Sequence, residues 1–298
     1  MKTIRLGLEW FLNPDHLPFL IGLEKGWFAD AGLDLELVAP SDHLDAFSAI
    51  EGGELDLAIT EPIHLVEDAA RGRHAVGFAR FLHTNGGAMV LERSGIERPR
   101  DMAEKRVQYP GAPGPGGKAV VATMIEADGG HPGELVPVNQ GFHHTDALIE
   151  GKADVATLAF YNFEVVEARH RGHPTRFFAL KDWGVPDFCQ LVLMTHPDKI
   201  ERDAASLRAL LQVTMRGLDL LHQDPAEARR IYFERTDADP EDPLMKAIFE
   251  ATVPCFTFDF TMSDAYYRRL SGWMVSRGLV PSEVSPSRVW TNDLAGWI

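Results

Sequence analysis

Five clusters in this 298-residue chain carry side chains able to do chemistry, and they stand at the ends of apolar runs or at the starts of helical ones. Glu9-Trp10 follows Leu6-Gly7-Leu8. A carboxylate accepts hydrogen bonds from ring amino groups and an indole stacks on a flat ring, so the pair suits a planar, amino-bearing guest. The plain alternative for Trp10 is core packing. Asn13-Pro14-Asp15-His16 reads as a helix start, with Asn13 or Asp15 as cap and His16 in the first turn, where it is also a candidate ligand contact. Thr60, Glu61 and His64 follow the apolar Leu55–Ile59; a lone histidine such as His64 is a structural group more often than a catalyst. Tyr109 to Lys118 is a Gly/Pro loop before a helix. The helix N–H groups favour an anion there, Gly114, Gly116 and Gly117 permit close backbone approach, and Lys118 adds a charge. The alternative is a stiff connector that binds nothing. The fifth cluster is Tyr161-Asn162-Phe163-Glu164, in which Tyr161 and Glu164 are candidate contacts.

Other chemistries lack their residues. No GxSxG elbow or HExxH pair occurs, and the GxxxxGK[ST] pattern fails because Ala119 follows Lys118. Cys189 and Cys255 form no CxxC and read as buried thiols. The expectation is recognition without catalytic residues, metal or cofactor. A formal net charge of −15, with no Lys/Arg run, repels phosphate backbones and argues against nucleic acid. No apolar run approaches the roughly 20 residues that span a bilayer. The N-terminus shows no apolar signal region, so a chain beginning at Met1 is expected in the cytoplasm, and an exported one requires a start upstream.

Apolar runs alternate with amphipathic stretches, which implies α/β architecture with mostly parallel sheets and crossover helices. Strands are expected at Ile4–Leu8, Leu33–Val38 and Leu55–Ile59, with helices over His16–Ala31 and Asp42–Gly52, the latter capped by Ser41 or Asp42. A second series follows: strand Arg106–Tyr109, helix Lys118–Asp128, strand Leu135–Val138, helix Thr145–Gly151 and strand Val155–Ala159. Residues 46–58, AFSAIEGGELDLA, are echoed by 144–156, HTDALIEGKADVA. Each reads as a helix, a glycine terminator (Gly52, Gly151) and a strand carrying an early aspartate. Strand Phe188–Met194 and helices Ala204–Gln223, Pro225–Phe233, Pro243–Ala251 and Ser263–Arg277 complete the chain. The expected organisation is lobe I from residues 1–90 plus 190–298 and lobe II from 91–189. The chain would cross near Ala88–Leu91 and Cys189–Met194, a two-crossover hinge closing a ligand cleft formed by the strand tips.

Leu8-Glu9-Trp10-Phe11-Leu12-Asn13-Pro14-Asp15-His16 resembles the Leu-Asp-Trp-Phe-x-Asn-x-x-His opening of thiamine-pyrimidine-binding proteins, of the SsuA/THI5-like type II periplasmic-binding-protein superfamily. Glu24–Asp34, Ala58–Pro62, Tyr161–Glu164 and Asp182–Asp187 are similar to that group as well, and the likeness spans about residues 4–290. The Glu24–Asp34 segment is shared with nitrate, sulfonate and taurine binders. The resemblance implies a type II periplasmic-binding-protein fold that captures an aminopyrimidine for an ABC-type importer. By the same resemblance Glu9 and Trp10 hold and stack the ring, Glu164 takes its amino group, the Gly114–Lys118 loop meets an anionic tail, and Asp187 joins the contacts. A related branch synthesises the thiamine pyrimidine from pyridoxal phosphate and one of its own histidines. His64 matches that histidine, but the lysine expected four residues earlier is Thr60, and the cysteine-rich iron segment is reduced to Cys189. Without an amine no internal aldimine forms.

Overall fold

The structure is a computed structural model that describes residues 1–40, 45–110 and 114–297. Its strands are β1 (Lys2–Gly7), β2 (Leu33–Val38), β3 (Leu57–Thr60), β4 (Val76–His83), β5 (Gly86–Leu91), β6 (Arg106–Gln108), β7 (Val136–Val138), β8 (Val155–Phe160), β9 (Thr175–Ala179) and β10 (Gln190–Thr195). They form two five-stranded sheets of the same plan, ordered β2-β1-β3-β10-β4 and β7-β6-β8-β5-β9. In the first, β1 pairs parallel with β2 and β3, and β10 runs antiparallel between β3 and β4. In the second, β6 pairs parallel with β7 and β8, and β5 runs antiparallel between β8 and β9. Four strands of each sheet thus share a direction. Crossover helices join the parallel neighbours, which is the expected α/β class.

The chain divides into two compact units. One comprises Met1–His83, Gln190–Ser271 and Ser282–Ile298; the other comprises Thr84–Cys189 and Gly272–Pro281. The sequence placed residues 84–90 in the first lobe and the passages inside Ala88–Leu91 and Cys189–Met194. Ala88–Leu91 is instead the buried interior of β5, paired on both edges, and Gln190–Met194 belongs to β10. The changes of unit fall at 83/84 and 189/190, just before those strands begin. Two further changes, at 271/272 and 281/282, were not anticipated. In the second unit Trp273 Nε1 donates to Thr123 Oγ1 at 3.2 Å, Arg277 pairs with Glu126 at 2.7 Å, and the Trp273 ring lies against Phe188.

The first unit's core joins Ile4, Leu6 and Leu8 to Phe78 and Phe81 and to Leu207, Leu210, Leu211, Leu218 and Leu221 of the helix Ala204–Gln223. These leucines lie at spacings of three, four and seven residues along one helix face, and each fully buried one contributes about 1.5–3 kcal/mol. The helix expected over His16–Ala31 is split: Leu17–Glu24 and Trp27–Asp30 are separated by Gly26 in the left-handed conformation at φ +70°. Ser41 and Asp42 lie outside the described residues; the next helix runs Ala46–Glu51 with Asp45 as its cap, accepting from Ser48 N at 3.1 Å.

The internal echo holds atom by atom. Glu54 N and Leu55 N both donate to Ala49 O, as Lys152 N and Ala153 N both donate to Ala147 O. Asp56 accepts from Arg5 N at 3.0 Å, and Asp154 accepts from Arg106 N at 3.0 Å. Arg5 and Arg106 each donate to a glycine carbonyl at 2.6 Å, Gly53 and Gly151 respectively. Those two glycines are left-handed, at φ +75° and +69°, whereas Gly52, the terminator expected from sequence, is at φ −70°. The true register therefore pairs Gly53 with Gly151.

Candidate functional site

The first unit gathers its candidate groups at the carboxyl tips of β1 and β3. The register Leu6↔Leu57 and Gly7↔Ala58 sends Glu9 and Glu61 off the same edge of the sheet. Glu9 is half-buried, and its Oε2 lies 3.2 Å from Nε2 of the fully buried His16. Asn13 caps the short turn Pro14–His16: its Oδ1 accepts from Asp15 N at 2.8 Å, its Nδ2 donates to Phe11 O at 3.0 Å, and its backbone N–H donates to His16 Nδ1 at 3.2 Å. Both polar ends of Asn13 are thus engaged inside the turn, so it shapes the rim as the capping reading anticipated. A backbone N–H can only donate, so Nδ1 accepts and the His16 proton sits on Nε2, aimed at Glu9. Burial disfavours a charged His16, but the adjacent Glu9 carboxylate outweighs it, and the pKa lies above the ordinary 6.5. The result is a carboxylate oriented by a buried imidazole.

Trp10 stands half-buried beside Glu9, edge-to-face with the exposed Phe11 at a centroid separation of 4.4 Å. Thr60, last residue of β3, is buried. Glu61 precedes the helix Pro62–Ala70 without capping it. Among the described residues its carboxyl has no hydrogen bond or ion pair. Desolvation, and then the charge on Glu9, push its pKa up from 4.5 to about 8. That shift favours the protonated form of Glu61 at neutral pH. His64 sits half-buried in the first turn of Pro62–Ala70.

In the second unit the helix Gly116–Ala127 begins beside Tyr109, at the tip of β6. A Cβ on Gly116 would lie 2.8 Å from Tyr109 Oη, and one on Gly117 would lie 2.6 Å from Tyr109 Cβ. These glycines admit the Tyr109 ring, a requirement the sequence reading had assigned to a ligand. Gly114 and Lys118 flank them half-buried, and residues 111–113 of the loop lie outside the described residues. Thr157 of β8 is fully buried, its Oγ1 has no hydrogen-bond partner among the described residues, and its Cγ2 would stand 3.2 Å from a Cβ on Gly117. Leu158 takes φ +60° in the bulge where Gly87↔Ala159 gives way to Ala88↔Thr157. A non-glycine residue held there costs about 1–2 kcal/mol. Thr157 and Leu158 escaped the sequence reading, because an apolar run such as Val-Ala-Thr-Leu-Ala-Phe carries no mark of a bulge.

Tyr161 follows β8 and is exposed, with Phe177 edge-to-face at 5.3 Å and the Arg169 guanidinium 5.6 Å from its ring centre. Glu164 is buried, and its Oε2 accepts from Phe160 N at 2.7 Å, closing the turn that presents Tyr161. Asn162, a member of the cluster not singled out, is buried and accepts from Thr84 Oγ1 at 2.6 Å. Asp187 is half-buried ahead of β10. Among the described residues no group of three or more His, Cys, Asp or Glu is placed to hold a metal ion. No helix there is long and apolar enough to cross a membrane.

The profile of the family described as NMT1/THI5 like matches residues 13–228. The formylaminopyrimidine-binding protein of Halalkalibacterium halodurans is 25% identical over 254 residues, which is 85% of this chain and 76% of that one. The 4-amino-5-hydroxymethyl-2-methylpyrimidine phosphate synthase of Legionella pneumophila is 25% identical over 297 residues, covering 98% and 92%. Among solved structures, the periplasmic aliphatic sulphonate-binding protein SsuA of Escherichia coli superposes with a TM-score of 0.76 at 13% identity, covering 97% of this chain and 92% of that one. That likeness establishes the periplasmic-binding-protein fold.

Proposed function

The chain belongs to the NMT1/THI5-like family, and from that premise we propose that it is a solute-binding protein for a thiamine-related aminopyrimidine. The observation that carries this reading is the rim of the first unit: the Trp10 ring beside Glu9, with Glu61 off the neighbouring strand. An indole face and two carboxyls suit a flat ring rich in amino groups. The name of the Halalkalibacterium halodurans relative supports the choice of pyrimidine. Glu164, Tyr161, Asp187, His64 and the Gly114–Lys118 stretch are proposed as further ligand contacts. Handing the guest to an ABC-type importer is part of the same proposal, supported by the transport proteins that share the fold.

Synthase-named relatives cover nearly the whole chain, and His64 favours that second reading. Position 60, however, is a buried threonine hydroxyl, so the residues present do not fit an aldimine to pyridoxal phosphate. The binding reading uses no cofactor. Calorimetry with formylaminopyrimidine and with hydroxymethylpyrimidine tests it. Saturable binding is expected, and Trp10→Ala should weaken it by about 1–3 kcal/mol through lost stacking and burial. An unchanged affinity in that variant removes the stacking role. An imine absorbance band on mixing with pyridoxal phosphate would favour the synthase.

A further inference from the structure

The two carboxyls at the tips of β1 and β3 are unequal, and the inequality is structural. Glu9 has a buried imidazole N–H pointing at it from 3.2 Å. Glu61 is half-buried beside it with no donor or cation of its own among the described residues. Bare carboxylates side by side repel, and the one without a donor keeps its proton. A protonated carboxyl is a hydrogen-bond donor and acceptor on one planar group. The edge of a 4-aminopyrimidine is its mirror, a ring-nitrogen acceptor next to an amino donor. A carboxylate, acceptor on both oxygens, would meet the ring-nitrogen lone pair with repulsion.

We propose that Glu61 reads this edge in its uncharged form, its O–H donating to the ring nitrogen and its C=O accepting from the neighbouring amino group. The role rests on the aminopyrimidine reading above and identifies a specificity-determining residue within it. Glutamine keeps a donor and an acceptor on a planar head of the same reach, whereas methionine keeps only the length.

The test is calorimetry on the whole chain with two probes: 4-amino-5-hydroxymethyl-2-methylpyrimidine, whose phosphate is in the names of several relatives, and the same molecule without its amino group. Glu61→Gln should hold the amino compound within about threefold of wild type, while Glu61→Met should weaken it about tenfold or more, as loss of a paired donor and acceptor predicts. Wild type should prefer the amino compound, and that preference should collapse in Glu61→Met. If Glu61→Gln weakens binding as much as Glu61→Met does, the residue acts as a charge and the inference falls. If Glu61→Met binds like wild type, Glu61 does not touch the ring, and only this inference falls. If wild type binds neither probe, the pyrimidine reading fails and takes the inference with it.

Discussion

Three titrating side chains shape how the molecule responds to pH, and their signs differ. Glu61 ionises near 4.5 in an unfolded chain and near 8 when folded. Between those values the unfolded state sheds a proton that the native state keeps, so stability falls as pH rises through this window. Glu61→Gln removes the titration. Urea unfolding should find the variant more stable than wild type by about 2 kcal/mol at pH 8.5, the lower part of the range for a half-buried group, with little difference at pH 5. Equal stabilities at pH 8.5 would mean that the carboxyl is solvated after all. His144 works in the opposite direction. It is buried, with no hydrogen-bond partner for Nδ1 among the described residues, and desolvation, with His143 nearby, holds its pKa down from 6.5 to about 4. Below pH 6.5 the unfolded chain takes up a proton that the native chain refuses, so stability drops as pH falls from 6.5 toward 4. His144→Asn should recover about 2 kcal/mol of that acid loss at pH 4.5, measured against its own value at pH 7.5. His16, raised by Glu9, has its stabilising proton at low pH and loses it as pH climbs.

At the scale of elements, the two helix–turn–strand copies make the same bonds with different sequences, and those bonds give the next test. Asp154 accepts from the backbone of Arg106 and pairs with its guanidinium at 2.7 Å. Asp154→Ala should cost about 1–3 kcal/mol, because it leaves the Arg106 N–H without its acceptor, and Asp56→Ala should cost a similar amount. Hydrogen exchange would show the loss in β6 and β8 for the first variant and in β1 and β3 for the second. Gly117→Ala should cost about 1–3 kcal/mol by overpacking against Tyr109. The echo was legible because the aspartate, the glycine and the apolar spacing all sit in one continuous segment. So were Leu33–Val38 and the helix Ala204–Gln223, whose alternation or helical spacing declares a buried face. The Glu9, Trp10 and Glu61 rim was legible as candidates because strand tips follow from strand ends. The pairing of Glu9 with His16, the proton on Glu61 and the use of Gly116 and Gly117 by Tyr109 were not. Each depends on two segments meeting in space, and no local pattern records the meeting. The break at Gly26 belongs to the same class: a glycine in a helical stretch is compatible with continuation, and only tertiary packing selects the left-handed turn.

For the whole molecule, chain order and structural unit part company at the C-terminus. Residues 272–281 follow the first unit's segment Gln190–Ser271 and precede its last segment, yet they belong to the second. The indole of Trp273 is buried there on Phe188, with its N–H on Thr123, and Arg277 reaches Glu126 on the next turn of the same helix. The sequence reading placed everything after 190 in one lobe because Ser263–Arg277 looks like a single amphipathic helix, and periodicity says which face is apolar without saying what covers it. The helix Asp264–Ser276 does run unbroken through the change of unit. Trp273→Ala should remove a large buried aromatic and cost about 3–5 kcal/mol. The damage should be regional. Hydrogen exchange in the variant should lose protection over β5, β6, β8 and the helix Gly116–Ala127, while β1 to β4 and β10 keep theirs, because the partners of the deleted ring, Phe188 and Thr123, belong to the second unit. Protection lost uniformly across both sheets would instead show that the two units unfold as one cooperative body.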